Sequence, residues 1–207
     1  MSSKKYFDKV AHQWDEMRKG FFSEAVREKA FSVAGVEAGK IAVDIGAGTG
    51  FVTEGLIQKG LQVMAVDRSD LMLEEMRKRF SDVEGIEYFE GESEKLPLPD
   101  ESVDYVFANM YLHHVESPLK AIKEMRRILK SGGKLVITDM DKHAFEFLKR
   151  EHHDRWMGFD RKDIRKWLEE AGLKNMAVDC AEETCCAQSD SGEGMVRVSV
   201  FVASGEK

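Results

Sequence analysis

The chain is short of cysteine, carries no surplus of positive charge and has no long apolar run. Each shortage removes a class of function. Its three cysteines, Cys180, Cys185 and Cys186, all lie near the carboxyl end and two are adjacent, so there is no disulfide framework of the secreted kind. Lysine and arginine number 31 against 38 acidic residues, a formal net charge of −7. That balance argues against a general nucleic-acid binder, whose affinity comes from neutralising phosphates. No apolar run approaches the ~18 residues that a bilayer span requires. The opening MSSKKYFDKVAHQWDEM lacks the apolar centre of a secretory signal. A cytoplasmic protein without membrane insertion is therefore expected. No repeat or low-complexity tract stands out. What is present suits a single domain: 207 residues, 43% hydrophobic and 33% charged, enough to bury a core under a solvated surface.

The apolar spacing orders that material. Phe7, Val10, Trp14 and Met17 recur at three and four residues, which predicts an amphipathic helix over 4–19. A second helix is expected over 22–34. Strands at 41–46, 61–67, 86–91, 103–110 and 134–140 then alternate with helices at 51–59, 69–80 and from Pro118 to Ser131-Gly132-Gly133. Ser69 suits an N-cap, and Pro118 suits the first helical position. Several strands are apolar on both faces, as in a parallel sheet covered by helices. Beyond 140, helices are expected at 144–156 and 161–171. Strands at 175–180 and 195–203, joined by a polar stretch, would close a hairpin and add an antiparallel strand. The expected fold is α/β, a doubly wound and mostly parallel seven-stranded sheet of Rossmann-like form. The N-terminal helices would pack across its mouth.

The stretch VDIGAGTGFVTEGL, residues 43–56, carries the chemistry. An acid, Asp44, meets glycines at 46, 48 and 50 between a strand and a helix. Such turns bring backbone against a ligand at the carboxyl ends of parallel strands. A dinucleotide fingerprint requires its third glycine at 51, where this chain has Phe51. Asp67 ends the second strand, 21 residues after Gly46, where an acid can accept ribose hydroxyls of any adenosine cofactor. Glu92, after the third strand, would lie near an adenine resting over Met72 or Leu71.

Taken in order, D-x-G-x-G-x-G, the acid at Asp67, GESEKLPL after the third strand, VDYVFANMYLHHV and EMRRILKSGGKLVITD resemble the class I S-adenosylmethionine-dependent methyltransferases. The likeness is greatest to the small-molecule group related to the ubiquinone and menaquinone biosynthesis C-methyltransferases. It covers about residues 40–140, and YFDKVAHQWDEM resembles that group's first helix. The resemblance implies S-adenosylmethionine as cofactor, with S-adenosylhomocysteine as product. It implies that Gly46, Gly48 and Gly50 let backbone approach the methionine end, with Asp44 orienting that loop and meeting the amino group through water. Asp67 would hold the ribose, Arg68 and Met72 would border the adenine, and Glu92 would take its amino group. The Ser93 backbone would meet a ring nitrogen, and Asn109 would line the methionine moiety. Tyr6 and Trp14 would close over the cofactor or pack in the core. One domain is expected over 1–207, with a helical lid at 1–36, a cofactor-binding core at 40–140, and substrate-side helices and hairpin at 141–207.

The reaction so implied is in-line methyl transfer to a small molecule. The protein's work is to align the nucleophile and exclude water, and a base is needed only where the nucleophile must lose a proton. His113 and His114, directly after the fourth strand, are the candidate catalytic residues, as base or substrate contact. Loop packing is their other reading. Asn109-Met110-Tyr111-Leu112 lacks the paired prolines of nucleic-acid amino-methylating enzymes, which with the acidity disfavours a nucleic-acid base as acceptor. The basic run Lys120, Lys123, Arg126, Arg127 and Lys130 reads as a solvated face. Cys185 and Cys186 could form a soft rim site serving metalloid or thiol methylation. Joint ligation would need a bulge, because strand neighbours point to opposite faces, and no resident metal is expected. A non-catalytic S-adenosylmethionine-binding regulator is the competing reading from another class. A nicotinamide oxidoreductase is disfavoured by Phe51, and aminopropyl transfer by the lack of an acidic channel. The acceptor and the oligomeric state are not legible.

Overall fold

The fold is described by a computed structural model covering residues 3–189 and 194–207. Helices α1 (Ser3–Val10), α2 (Trp14–Lys19) and α3 (Ala25–Ala34) precede an alternation of strands and helices. It runs β1 (Ile41–Ile45), α4 (Phe51–Gln58), β2 (Gln62–Asp67), α5 (Asp70–Arg79), β3 (Ile86–Glu90), β4 (Val103–Asn109), α6 (Pro118–Ile128) and β5 (Leu129–Met140). The chain then forms α7 (Glu146–Glu151), α8 (Arg161–Glu170), β6 (Lys174–Gln188) and β7 (Met195–Glu206). The seven strands make one sheet in the order β3-β2-β1-β4-β5-β7-β6. Pairing is parallel from β3 to β5, and β7 runs antiparallel to both its neighbours. Strand order reverses between β1 and β4, which makes their carboxyl ends the ligand-binding edge.

Alternation along the strands divides the core. Val43, Ile45, Val106, Leu135 and Ile137 face one side with α6 and α8, packed by Met125, Ile164 and Leu168. Ala42, Phe107 and Val136 face the other with α3 and α4, packed by Phe31 and Leu56. Ser69 caps α5 by accepting the Met72 N–H at 3.2 Å, and Pro118 opens α6, both as expected.

Four boundaries differ from the sequence reading. The first expected helix breaks at Ala11–Gln13 into a 3-10 turn, which turns the chain across the sheet edge. Strand β5 begins at Leu129 and runs through Gly132-Gly133, with a register shift against β4 between Val103 and Tyr105. The helix expected over 144–156 stops at Glu151, because His153 takes a positive φ of 59°. The following loop is stitched to the His113 carbonyl by the Arg155 and Trp156 N–H groups, both at 3.0 Å. The hairpin strands extend further than expected. After a bulge between Cys180 and Thr184 the pairing runs on to Gln188, because Ala181, Cys185 and Ala187 bury against Val198 and Val200. Among the described residues no helix is long and apolar enough to cross a membrane.

Candidate functional site: a cleft and an adjoining cavity

The turn after β1 and the end of β2 build a cleft of about 170 Å³ against α1, α2 and the end of β4. Asp44 points from β1 toward α4, where its Oδ2 accepts the Thr53 N–H at 3.0 Å and the Thr53 hydroxyl at 2.8 Å. It also lines the cleft. Burial raises its pKa to about 7 in spite of those two bonds. Asp67 accepts the Gly48 N–H with one oxygen and the Ser69 N–H with the other, both at 2.8 Å. It therefore braces the glycine turn and the start of α5 together. Burial pushes its pKa up as well. The Arg68 backbone N–H bonds this carboxylate too, and since each oxygen has two lone pairs, Asp67, which lines the cleft, keeps at least one acceptor site.

Two of the glycines make room for neighbouring side chains. Gly46 has φ 69°, and a Cβ there would fall within the Tyr111 ring, so the clearance admits that ring. The Tyr111 hydroxyl donates to Ser93 Oγ at 3.3 Å. Gly50, φ 95°, opens α4 and faces Phe80 and Met76, away from the cleft.

The lid is held by charge and aromatic contacts. Asp8 of α1 accepts the Ser69 hydroxyl at 2.6 Å, and Asp15 of α2 accepts the Thr49 hydroxyl at 2.5 Å. The buried Arg18 guanidinium stacks over the Phe51 ring at 4.0 Å, and burial lowers its pKa. The Nε atoms of Arg18 and Arg68 are buried with no hydrogen-bond partner, and both side chains line the cleft. Acids suited to hydroxyls and ammonium thus face guanidinium donors suited to a carboxylate. That donor set fits the adenosyl and amino-acid ends of S-adenosylmethionine.

Asp44, Gly46, Gly48, Asp67, Arg68, Met72, Glu92, Asn109 and Trp14 all line this cleft. Asn109 is held by the Thr138 hydroxyl, which donates to its Oδ1 at 2.7 Å. Ser93 lies buried behind the wall, its hydroxyl donating to Glu94 at 3.2 Å. Tyr6 faces away, toward a second cavity, where it contacts His152 at 3.5 Å.

That second cavity adjoins the first through Phe7, Trp14, Phe22, Met110 and His114, which line both. Its walls are mainly apolar, from Phe21, Phe22, Met140 and Leu148. Its polar corner holds both candidate histidines. His113 is buried, with Nδ1 at 2.7 Å from Asp139 Oδ1 and Nε2 at 3.7 Å from Asp154 Oδ1. Burial opposes its charge, but the two carboxylates outweigh burial and lift its pKa to about 9. His114 is the opposite case. Burial and the neighbouring His113 hold its pKa well below the ordinary value, so its ring is neutral. Its Nδ1 is buried without a hydrogen-bond partner. Burial raises Asp154 to about 6.

Sequence reasoning missed Tyr111, Arg18, Asp139 and the pairing of Asp154. Asp139 carried a signal, a strand-end acid at the same sheet edge as Asp67. Asp154 had none, since only the stitched loop after α7 brings it to the histidines. The cysteines separate: Cys185 is buried and lines the second cavity, Cys186 lies on the opposite face, and the bulge falls before both of them. No joint thiol site forms. The basic run is partly spent on the fold, with Arg127 of α6 binding Glu124 and Asp100, and Lys130, at the start of β5, binding Asp104.

Comparison with known proteins agrees with this geometry. Residues 43–137 match the family described as a methyltransferase domain. A malonyl-[acyl-carrier protein] O-methyltransferase of a Marinomonas species is 28% identical over 162 residues, 77% of this chain and 57% of that protein. A demethylmenaquinone methyltransferase of Renibacterium salmoninarum is 33% identical over 142 residues, 67% of this chain and 59% of that protein. The chain spans about half the length of the curated relatives it matches first. Among solved structures, a SAM-dependent methyltransferase from Aquifex aeolicus has the same fold. Its TM-score is 0.68 at 22% identity, covering 98% of this chain and 97% of that one.

Proposed function

Residues 43–137 are a methyltransferase domain of the S-adenosylmethionine-dependent class, and from that premise we propose that this chain methylates a small molecule held in the second cavity. The observation that carries the reading is the junction of the two cavities at Met110 and His114. A donor in the cleft would present its reactive carbon there, to an acceptor in the apolar cavity.

S-adenosylmethionine, when bound, supplies an already activated methyl group on a sulfonium. The protein's share is positional. Asp67 would hold the ribose hydroxyls, Asp44 the ammonium, and Glu92 the adenine amino group. Arg18 offers its open Nε donor to the carboxylate end, and Arg68, next to Asp67, borders the adenine with Met72. Trp14 and Phe7, on the lid, exclude water from the junction. His114, neutral and with an open Nδ1, is the group placed to take a proton from an acceptor hydroxyl or thiol. His113, charged through Asp139, orients the corner rather than accepting a proton. The non-catalytic alternative would need a blocked junction, and the two cavities share five lining residues. Metalloid methylation through paired thiols has no support in the geometry, since Cys185 and Cys186 diverge.

A labelled-methyl screen over quinols, phenols, thiols and arsenite tests the proposal. The expected result is methyl transfer to one class, lost in His114→Ala with binding of S-adenosylhomocysteine retained. Binding of S-adenosylhomocysteine with no transfer to any class would favour the regulator.

A further inference from the structure

We propose that His113, His114 and Asp154 form a binding site for one divalent transition-metal ion of the zinc type, with an open position facing the second cavity. The three donor atoms converge from separate segments, the turn after β4 and the loop after α7. Asp154 Oδ1 is 3.7 Å from His113 Nε2 and 3.9 Å from His114 Nδ1, and all three donors lie within 4.8 Å of one another. Tetrahedral bonds of ~2.0–2.1 Å set ligands roughly 3.4 Å apart. Two of the three pairs therefore need to close by only about half an ångström or less.

The outer atoms are arranged as metal-binding histidines require. A ligating imidazole normally gives its other N–H to a carboxylate or a backbone carbonyl, which fixes the tautomer and the ring. His113 Nδ1 is held by Asp139 at 2.7 Å, and Asp139 also accepts the His113 backbone N–H at 3.1 Å. The His114 ring is hydrogen-bonded to the His153 backbone. Because its Nδ1 has no partner, that bond falls to Nε2 and leaves the Nδ1 lone pair toward Asp154. His153 sits at φ 59°, a conformation that costs free energy in a non-glycine residue, and it places this carbonyl and Asp154 side by side. An unpartnered nitrogen on a ring nine-tenths buried is the vacancy that a cation fills.

Two imidazoles and one carboxylate leave a fourth position open, as in zinc sites that bind substrate. The ligand class is an acceptor hydroxyl or thiol whose acidity rises on coordination. The role in acceptor activation rests on the methyl-transfer reading but replaces His114 as the base, because an Nδ1 that ligates the ion has no lone pair left for a proton, and the ion takes the place of the Nε2 proton of His113. The site itself rests on the donor geometry.

The full chain, stripped with chelator and dialysed, is titrated with Co²⁺ and then Zn²⁺. The expected result is one equivalent of Co²⁺ with ligand-field absorption of low-symmetry four-coordination, displaced by Zn²⁺. Asp154→Asn should weaken binding at least tenfold, and Asp139→Asn by ~10–100-fold through the outer shell. Absence of Co²⁺ binding by the wild-type protein overturns the site. So does equal affinity in Asp154→Asn, or loss of binding in Cys185→Ser with retention in Asp154→Asn. Asp154 does not line the cleft, so S-adenosylhomocysteine binding serves as the folding control for that variant. Metal binding without S-adenosylhomocysteine binding would sink the methyl-transfer reading alone. The reverse result would sink the metal site alone.

Discussion

The two cavities that meet at Met110 and His114 are built from different materials. The cleft is made of strand ends and backbone. Asp44, Asp67 and Asn109 each sit at or next to the end of a parallel strand, and the glycine turn joins two adjacent elements of the chain. The second cavity is assembled from lid, turn, loop and hairpin, with Phe21, His113, Leu148, Asp154 and Cys185 each from a different segment. The contrast suggests a division of labour, with a donor site set by local geometry and an acceptor site set by tertiary packing. Loop variation on a fixed scaffold is how one fold serves many substrates.

The strongest way to break this contrast is to unpin the second cavity alone. Asp139→Ala removes the partner of a buried histidine, and breaking a buried ion pair costs ~3–5 kcal/mol. Urea unfolding should show a loss of that order. The protein that remains folded should still bind S-adenosylhomocysteine, and a loss below ~1 kcal/mol would mean that other contacts hold the corner.

The converse variant, Asp67→Ala, should weaken S-adenosylhomocysteine binding by ~1–3 kcal/mol, from lost hydrogen bonds to a charged group. Calorimetry reads this directly, and unchanged affinity removes Asp67 from the cofactor site.

Acidity separates the regions further. The folded pKa of His113 is raised to about 9, above an unfolded value of ~6.5. Its stabilising contribution is therefore complete below pH ~6.5 and is lost as pH rises through about 9. Wild-type stability should fall by ~1–3 kcal/mol across that window, and Asp139→Asn should flatten the fall. Equal slopes in the two proteins would show that the pair is not what titrates.

The smallest effect is expected from Cys185→Ala. It trims one buried wall atom for about 1 kcal/mol of stability and leaves S-adenosylhomocysteine affinity unchanged. A large loss of that affinity would mean that the two cavities are not independent.

The same contrast explains how far the sequence could be read. The glycine turn, Asp67 and the strand-helix alternation were visible because their signals are local: an acid, a period and a cap. The Ser69 cap and the Pro118 start fall where those residues predict them. The extension of β6 was hidden because Ala181, Cys185 and Ala187 are small, and their alternation becomes apolar only beside Val198 and Val200. The stop at Glu151 was hidden because the His113 carbonyl, 42 positions before Arg155, supplies the competing bonds. Tyr111 was passed over because the need of Gly46 for space looked like a ligand's demand, and a ring of this chain fills it.

The central claim is that the cleft above β1 and β2 accepts an adenosyl amino acid rather than a dinucleotide. Calorimetric titration of the full chain with S-adenosylhomocysteine and, separately, with NAD tests it most directly. The account predicts one-to-one binding of S-adenosylhomocysteine and no heat from NAD. Saturable binding of NAD with none of S-adenosylhomocysteine would contradict it.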